Sequence, residues 1–244
     1  MITLNNITKK FNNNVVLSDF TFTIEDGRFY TIVGPNGCGK STLLNILAGT
    51  LEKNSGDITS SIHDLCIGYV WQDYRSSLFP WLSISENISF PLKIQGISSK
   101  ERKRAVQNLI KDFGFEIDLK MKTYNLSGGQ QQLINIFRAL IVEPDLLLLD
   151  EPFSALDQYK SWHIGFELEK MWLKQKNSVF LVSHNVDEAI LLADEIILIN
   201  NQGCIEKTIT NYMPRSRTKE MMTEPEHINC KKEIVEFMFE QNRK

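Results

Sequence analysis

Apolar and polar residues alternate along the first third of the chain with the two-residue period that is typical of β-strands. The clearest alternation lies in the run LSDFTFTI, which the turn signal Glu25-Asp26-Gly27 follows. The strands predicted from such runs cover residues 1–4, 15–24, 29–33 and 67–71. A helical pattern, STLLNILA, interrupts them at residues 41–48.

The middle third is predicted to be helical, because two capping-box spacings each precede a helix-forming segment. Ser83 and Glu86 open a short helix that we expect Pro91 to stop. Ser98 and Glu101 open a longer helix, which we expect to end at Gly114. The apolar face of this second helix consists of Ala105, Val106, Leu109, Ile110 and Phe113.

The last third returns to alternating strands and helices. Residues 146–149 and 179–182 are entirely apolar, as expected for parallel strands that are buried on both faces. Helical segments separate them, so the sequence predicts an α/β fold with a parallel sheet and an inserted helical segment. From about Tyr212 the chain becomes polar and irregular before a last apolar helix, EIVEFMFE.

The composition of the 244 residues fits a globular protein that does not bind nucleic acid. Lys and Arg total 27 against 30 acidic residues, whereas a nucleic-acid-binding domain usually has a basic excess. No window holds about 18 uninterrupted apolar residues, and the N-terminal residues lack the apolar core of a signal peptide. Four cysteines without CxxC spacing favour reduced thiols and a cytoplasmic location.

The run GPNGCGKS fits the phosphate-binding pattern GxxxxGK[ST] and lies between an apolar strand and a helix, which is the context of a P-loop. Backbone N–H groups of such a loop can surround an anion. Lys40 would reach the β- and γ-phosphates, and Ser41 would bind Mg²⁺. The alternative is a structural glycine-rich turn. The loop comprises Gly34, Pro35, Asn36, Gly37, Cys38, Gly39, Lys40 and Ser41, and Thr42 follows it.

Cys38 lies inside this loop, at a position that the pattern leaves free. A helix N-terminus and Lys40 should lower the pKa of its thiol, which predicts inactivation by thiol reagents and protection by ATP. The alternative is that Cys38 only fills space.

Two carboxylates follow the apolar run LLLL, where a strand would deliver them to the carboxyl edge of the sheet. Asp150 suits the Mg²⁺ shell, and Glu151 is placed to polarise an attacking water. The alternative is a solvated helix start. His184 also follows a predicted strand, where a structural histidine is the alternative, and we expect only structural roles for the other three histidines, His63, His163 and His227.

A second pair of glycines occurs in LSGGQ, residues 126–130, here called the signature segment. Ser127 and Gln130 have capping-box spacing, so an ordinary capped helix is one interpretation. Two adjacent glycines at a helix start also form an anion-binding nest. The chain therefore carries two candidate phosphate nests.

Over about residues 1–210 the sequence resembles the nucleotide-binding subunits of ABC transporters. The P-loop, LSGGQ, LLLLDE, Gln72, the SALD run at 154–157 and His184 stand in the order and spacing of that family. The resemblance implies a P-loop NTPase core with an N-terminal antiparallel β subdomain and an inserted helical subdomain. It implies an ATPase domain at 1–212, with the helical subdomain at about 78–145, and a C-terminal extension at 213–244.

The resemblance also implies a role for each matching residue. Phe11 would stack on adenine, Gln72 would sense Mg²⁺ and the attacking water, and His184 would contact the γ-phosphate. In that family two subunits pair head to tail, so Ser127, Gly129 and Gln130 would bind the ATP of a partner copy. One departure is that Leu133, Asn135 and Phe137 replace an arginine and small residues that are usual after the signature segment.

The apolar run LFPW, which begins at Leu78, stands in predicted irregular backbone that something must cover. The resemblance implies that residues 78–87 dock an integral membrane permease; the alternative is a local core covered by the chain's own helices. We expect an importer ATPase at the cytoplasmic face of the membrane, acting indirectly with a substrate-binding protein. The resemblance is to the group that serves nitrate, sulfonates, taurine and thiamine precursors. A regulatory or mechanical ATPase and an exporter with a separate pore are the alternatives.

Overall fold

The computed structural model describes residues 1–175 and 177–243 and contains two sheets. The strands are β1 (Ile2–Phe11), β2 (Asn14–Ile24), β3 (Phe29–Val33), β4 (Ser55–Ser60), β5 (Ile67–Val70), β6 (Leu146–Asp150), β7 (Ser178–Val182), β8 (Glu195–Ile199) and β9 (Ile205–Thr210). The first sheet has the order β2-β1-β4, and both of its strand pairs are antiparallel.

The second sheet has the order β5-β6-β7-β3-β8-β9 and is parallel except for the β8–β9 pair. Strands β6 and β7 are buried along their whole length, as their all-apolar runs predicted, and β3 is buried along its whole length as well. Chain order and sheet order differ most around β3, β6 and β7. In open α/β sheets, ligands bind beyond the carboxyl ends of strands at such a point.

Helices pack on both sides of this second sheet and between the two sheets. They are α1 (Lys40–Leu47), α2 (Tyr74–Ser77), α3 (Ile84–Ile88), α4 (Phe90–Ile94), α5 (Ser99–Asp112), α6 (Gly128–Leu140), α7 (Gln158–Gln175), α8 (Val186–Leu192) and α9 (Pro225–Arg243). The segment between β5 and β6 contains α2 to α6 and no named strand. The fold is thus the predicted α/β fold, with an antiparallel N-terminal sheet and a helical insertion. No helix in the described residues is long and apolar enough to cross a bilayer.

The two capping boxes predicted in the middle third of the chain are present, at Ser83 with Glu86 and at Ser98 with Glu101. The prediction that Pro91 stops the helix is wrong, because Pro91 lies in the first turn of α4. A proline is tolerated there, since the first N–H groups of a helix have no partner within the helix. The last helix is longer than EIVEFMFE, and the final residue of the predicted extension, Lys244, lies outside the described residues.

Candidate functional site

The glycine-rich loop connects β3 to α1 in a backbone conformation that requires glycine. Gly37 and Gly39 have positive φ angles of 80° and 98°. A Cβ atom on Gly39 would lie 2.7 Å from the carbonyl oxygen of Val16, so a side chain there would strike the neighbouring sheet. The loop therefore runs close against β2 and directs its chain toward the start of α1.

Lys40 is the first residue of α1 and is buried. Its Nζ donates hydrogen bonds of 2.8 Å to the Gly34 carbonyl and 2.7 Å to the Pro35 carbonyl. The side chain thus folds back over its own loop, which places a positive charge where a phosphate could exchange for these carbonyls. Of the other predicted residues, Asn36 is exposed and Thr42 is half-buried in the first turn of α1.

Ser41 and Asp150 meet although they are far apart in sequence, since α1 packs beside β6. The hydroxyl of Ser41 donates a 3.1 Å hydrogen bond to Asp150 Oδ1. Burial raises the pKa of Asp150, and the bond from Ser41 partly opposes that effect. A hydroxyl and a carboxylate at this distance fit two positions of a Mg²⁺ shell that phosphate oxygens and waters would complete. Consistently, the described residues contain no group of three His, Cys, Asp or Glu side chains that could hold a metal alone.

Glu151 follows β6, and two other predicted site residues contact its carboxylate. Gln72 Nε2 donates a 3.1 Å hydrogen bond to Glu151 Oε2, and His184 Nδ1 lies 3.2 Å from the same oxygen. Glu151 itself has a positive φ of 47°, and its N–H donates to the Val182 carbonyl on the neighbouring strand. The backbone hydrogen bond therefore fixes the position of Glu151, and two side chains contact its carboxylate.

The sheet order explains this convergence. Strands β5, β6 and β7 are adjacent and parallel, so their carboxyl ends lie side by side. Gln72, Glu151 and His184 each come one or two residues after one of these strands. His184 is exposed, whereas the Glu151 side chain retains only 17% of its accessible surface. The cluster thus has a half-buried carboxylate and an open side.

Phe11 is the last residue of β1 and is 46% exposed, so its ring is not part of the core. The ammonium of Lys9 lies 5.0 Å from its ring centroid. Strand β1 pairs with β2, and Val16 of β2 is the strand residue that Gly39 approaches. The exposed ring therefore belongs to the sheet that flanks the P-loop.

The signature segment lies at the start of α6, where Ser127 and Gln130 form a full capping box. Its residues line a cavity of about 420 Å³ together with Leu156 and Asp157. In the part of the chain that the structure describes, no P-loop residue lines this cavity. The two candidate phosphate nests of one chain are therefore separate.

Residues 74–77, just after Gln72, contact α6 through hydrogen bonds that the sequence did not predict. Asn135 is 2% exposed; its Nδ2 donates to the Tyr74 carbonyl at 3.0 Å and its Oδ1 accepts from the Ser77 hydroxyl at 2.9 Å. Arg138 donates to the Ser77 carbonyl and to Asn135 Oδ1. A Cβ atom on Gly128 would lie 2.6 Å from the Tyr74 hydroxyl oxygen. The only signal in the sequence was the departure from the usual residue at 135.

The structure overturns the predicted reactivity of Cys38. Its side chain is 2% exposed, and burial raises the pKa of the thiol despite Lys40 Nζ at 3.8 Å from Sγ. Desolvation of a thiolate here outweighs the positive charge and the helix N-terminus. Cys38 therefore fills space between the loop and the sheet core.

The apolar run after Gln72 is only partly exposed. Leu78 is 6% exposed and belongs to the core formed with α3, α5 and α6, so its predicted place on a docking surface is wrong. Phe79 is half-buried against Phe90, with ring centroids 4.5 Å apart, and Asn87 is buried, binding both the N–H and the carbonyl of Phe79. Trp81 remains 68% exposed.

Comparison with known proteins gives consistent matches. The family described as ABC transporter matches residues 17–154. The aliphatic sulfonates import ATP-binding protein SsuB of a Bacillus cereus strain is 36% identical over 89% of this chain and 89% of that protein. The taurine import ATP-binding protein TauB of Escherichia coli O6:H1 is 31% identical over 99% of this chain and 98% of its own. A solved dimeric structure of MJ0796, a bacterial ABC transporter cassette, has a TM-score of 0.78 and 30% identity, covering 88% of this chain and 100% of its own.

Proposed function

The chain belongs to the ABC transporter family, and from that premise we propose that it is the ATP-hydrolysing subunit of a bacterial importer. The observation that carries the proposal is the convergence of Gln72 and His184 on one oxygen of Glu151. This cluster follows directly after Asp150, the partner of Ser41 in the P-loop helix. A carboxylate held in this way suits a base that activates water next to a bound γ-phosphate.

The P-loop residues would bind the phosphates of ATP. The backbone N–H groups of residues 36–41 would surround the β-phosphate, and Lys40 would exchange its two carbonyl partners for phosphate oxygens. Ser41, Asp150 and Gln72 would hold Mg²⁺, which neutralises charge on the phosphate oxygens when it is bound. Phe11 would stack on the adenine.

Glu151 would accept a proton from the attacking water, because its Oε2 is the acceptor at the centre of the cluster. Gln72 would orient that water through its amide, and His184 would donate toward the γ-phosphate. The left-handed backbone at Glu151 and the bond from its N–H to Val182 support the carboxylate in this position.

Two copies of the chain would be needed for a complete site. Among the described residues no P-loop residue lines the cavity of the signature segment, so Ser127, Gly129 and Gln130 would bind the nucleotide of a partner copy. The capped start of α6 offers N–H groups to a γ-phosphate there. The solved relative with a TM-score of 0.78 is described as dimeric, which supports a dimer of this chain.

A membrane permease is the proposed partner outside the dimer, and the transported molecule is proposed to be a small sulfonate such as taurine. The relatives named for sulfonate and taurine import support this class over the regulatory and export alternatives. Trp81 and the half-buried Phe79 would contact the permease at the cytoplasmic face of the membrane. A substrate-binding protein would act indirectly through the permease.

The proposal is tested by ATP turnover of the purified chain with Mg²⁺. Glu151→Gln should retain ATP affinity and lose about 100-fold or more in kcat, because the amide cannot accept the proton. Glu116→Gln, which alters an exposed carboxylate away from the cluster, provides the control. Full activity of Glu151→Gln would contradict the mechanism.

A further inference from the structure

The backbone of His184 is part of a tight turn that leads directly into α8. The Ser183 hydroxyl donates a 2.7 Å hydrogen bond to Glu188 in the first turn of α8, and it accepts the N–H of Asn185. Asn185 is the N-cap, and its side chain accepts from two N–H groups of α8. The position of His184 therefore follows the position of α8.

Helix α8 contains only seven residues, which is too short to be stable by itself. Its position is set by what packs against it. Much of that packing comes from residues 213–243, the described part of the predicted extension. Ala189 and Ile190 of α8 share a buried cluster with Met213, Ile234 and Phe237.

The N-terminal end of α8 is held by two side chains of α9. His227 Nε2 lies 3.0 Å from Asp187 Oδ1, and Lys231 Nζ donates 2.8 Å bonds to both oxygens of Asp187. His227 is 2% exposed and the Asp187 side chain 21% exposed, so this contact is partly buried. Although burial of Asp187 acts in the opposite direction, the bonds from Lys231 and His227 lower its pKa below the ordinary value.

The C-terminal end of α8 is held by two arginines. Arg217 is 3% exposed, and its Nη1 donates to the carbonyls of Ile190, Leu191 and Ala193. Arg215 donates a 2.7 Å bond to the Leu192 carbonyl. These are the carbonyls that the end of a helix leaves without partners, and positive charge is favourable there.

We propose that the C-terminal extension positions His184 for catalysis by fixing α8 at both ends, with His227 and Arg217 as the positioning residues. The inference rests on the proposed function, in which His184 contacts the γ-phosphate. It assigns the extension a role in the rate of hydrolysis rather than in nucleotide binding. The P-loop and Phe11, which would bind the nucleotide, lie on other elements.

The test is a steady-state comparison of His227→Ala with the wild type. We expect kcat to fall roughly tenfold, since small displacements of a catalytic group are costly, while KM for ATP changes less than about twofold. His227→Gln should restore most of kcat, because its amide nitrogen takes the place of Nε2 and can still donate to Asp187. A second readout without turnover is the imidazole NMR signal of His184, which is assigned by its loss in His184→Gln. This signal should shift in His227→Ala and return to the wild-type position in His227→Gln.

Two control variants separate positioning from general stability. Lys231 and Lys232 are adjacent on α9. Lys231 binds Asp187, whereas Lys232 Nζ lies 3.8 Å from Glu236 Oε1 in its own helix. Lys232→Ala should therefore match the wild type. Ile24→Val, in the buried part of the other sheet, should lower the melting temperature without lowering kcat per folded molecule.

Wild-type kcat and an unshifted His184 signal in His227→Ala would overturn the inference. It would also be overturned if kcat fell only in proportion to the folded fraction, as in an ordinary destabilised variant. No ATP hydrolysis by the wild type would instead contradict the proposed function, and the inference with it. The three results are distinguishable in one set of assays.

Discussion

Asn135 in α6 donates a 3.0 Å hydrogen bond to the backbone carbonyl of Tyr74, two residues after Gln72. Through this bond the loop that carries the glutamine is attached to the helix that begins with the signature segment. If signature residues serve a partner's nucleotide, the bond connects one chain's own site to its contribution to the other site.

Asn135→Ala should therefore affect both stability and cooperation between sites. Removing the buried amide leaves the Tyr74 carbonyl and the Ser77 hydroxyl without this partner, at a cost of about 1–3 kcal/mol. We expect a lower melting temperature by calorimetry and a lower Hill coefficient for ATP. Asn125→Ala, an exposed asparagine just before the signature segment, is the control. An unchanged Hill coefficient would exclude a connecting role for Asn135.

Gly39→Ala should abolish nucleotide binding, measured with a fluorescent ATP analogue. The new Cβ would stand 2.7 Å from the Val16 carbonyl at a φ of 98°, so the loop must move. Gly49→Ala is a matched control, because Gly49 also has a positive φ, of 70°, but its Cβ would meet nothing within 4 Å. That variant should lose about 1 kcal/mol of stability and keep its affinity for ATP. Equal affinities in the two variants would disprove the steric argument.

Cys38 should react slowly with thiol reagents at neutral pH. Burial raises the pKa of its thiol, so the thiolate fraction at pH 7 is smaller than for a free cysteine and increases only as the pH rises toward that pKa. In a variant that keeps only Cys38, we expect labelling at pH 7.5 to be about tenfold slower or more than in the same variant unfolded in urea. Equal rates in the folded and unfolded protein would show that the thiol is accessible.

Trp81→Glu should break the association with a membrane partner without affecting the isolated chain. Trp81 is 68% exposed, so a carboxylate there is solvated in the free protein but unfavourable in an apolar interface. From solubilised membranes of the source cells, the tagged wild type should retain an integral membrane protein that Trp81→Glu loses. Tyr212→Glu, at a position that is 87% exposed just before the extension, should retain it. Loss of ATPase activity in purified Trp81→Glu would indicate a folding role instead.

The elements that sequence predicted well are those whose signals are local. Apolar runs determined β6 and β7, and capping spacings determined the starts of α3 and α5, because neighbours along the chain decide these features. The sequence also placed Gln72, Glu151 and His184 each after a predicted strand. That Gln72 and His184 both contact one oxygen of Glu151 depends on the order of the strands in the sheet, which the sequence does not give.

The errors concern residues whose environment is made by distant parts of the chain. Leu78 was expected on a surface because proline follows soon after it, yet α3, α5 and α6 cover it. His227 and Arg217 lie in or beside a stretch whose sequence is polar and irregular, although both are buried. These polar side chains are buried because α8 supplies hydrogen-bonding partners 24 and 40 residues upstream, which no local pattern reveals.

The attachment of α8 at both ends also determines where the chain can be recombined with a relative. The family match covers residues 17–154, whereas four residues that bind the ends of α8, Arg215, Arg217, His227 and Lys231, lie after Tyr212. A chimera joined at Tyr212 would combine His184 from one parent with the supporting arginines and histidine of the other. Exchanges that keep residues 183–243 together preserve every one of these contacts, so this block is the natural unit for building hybrid enzymes.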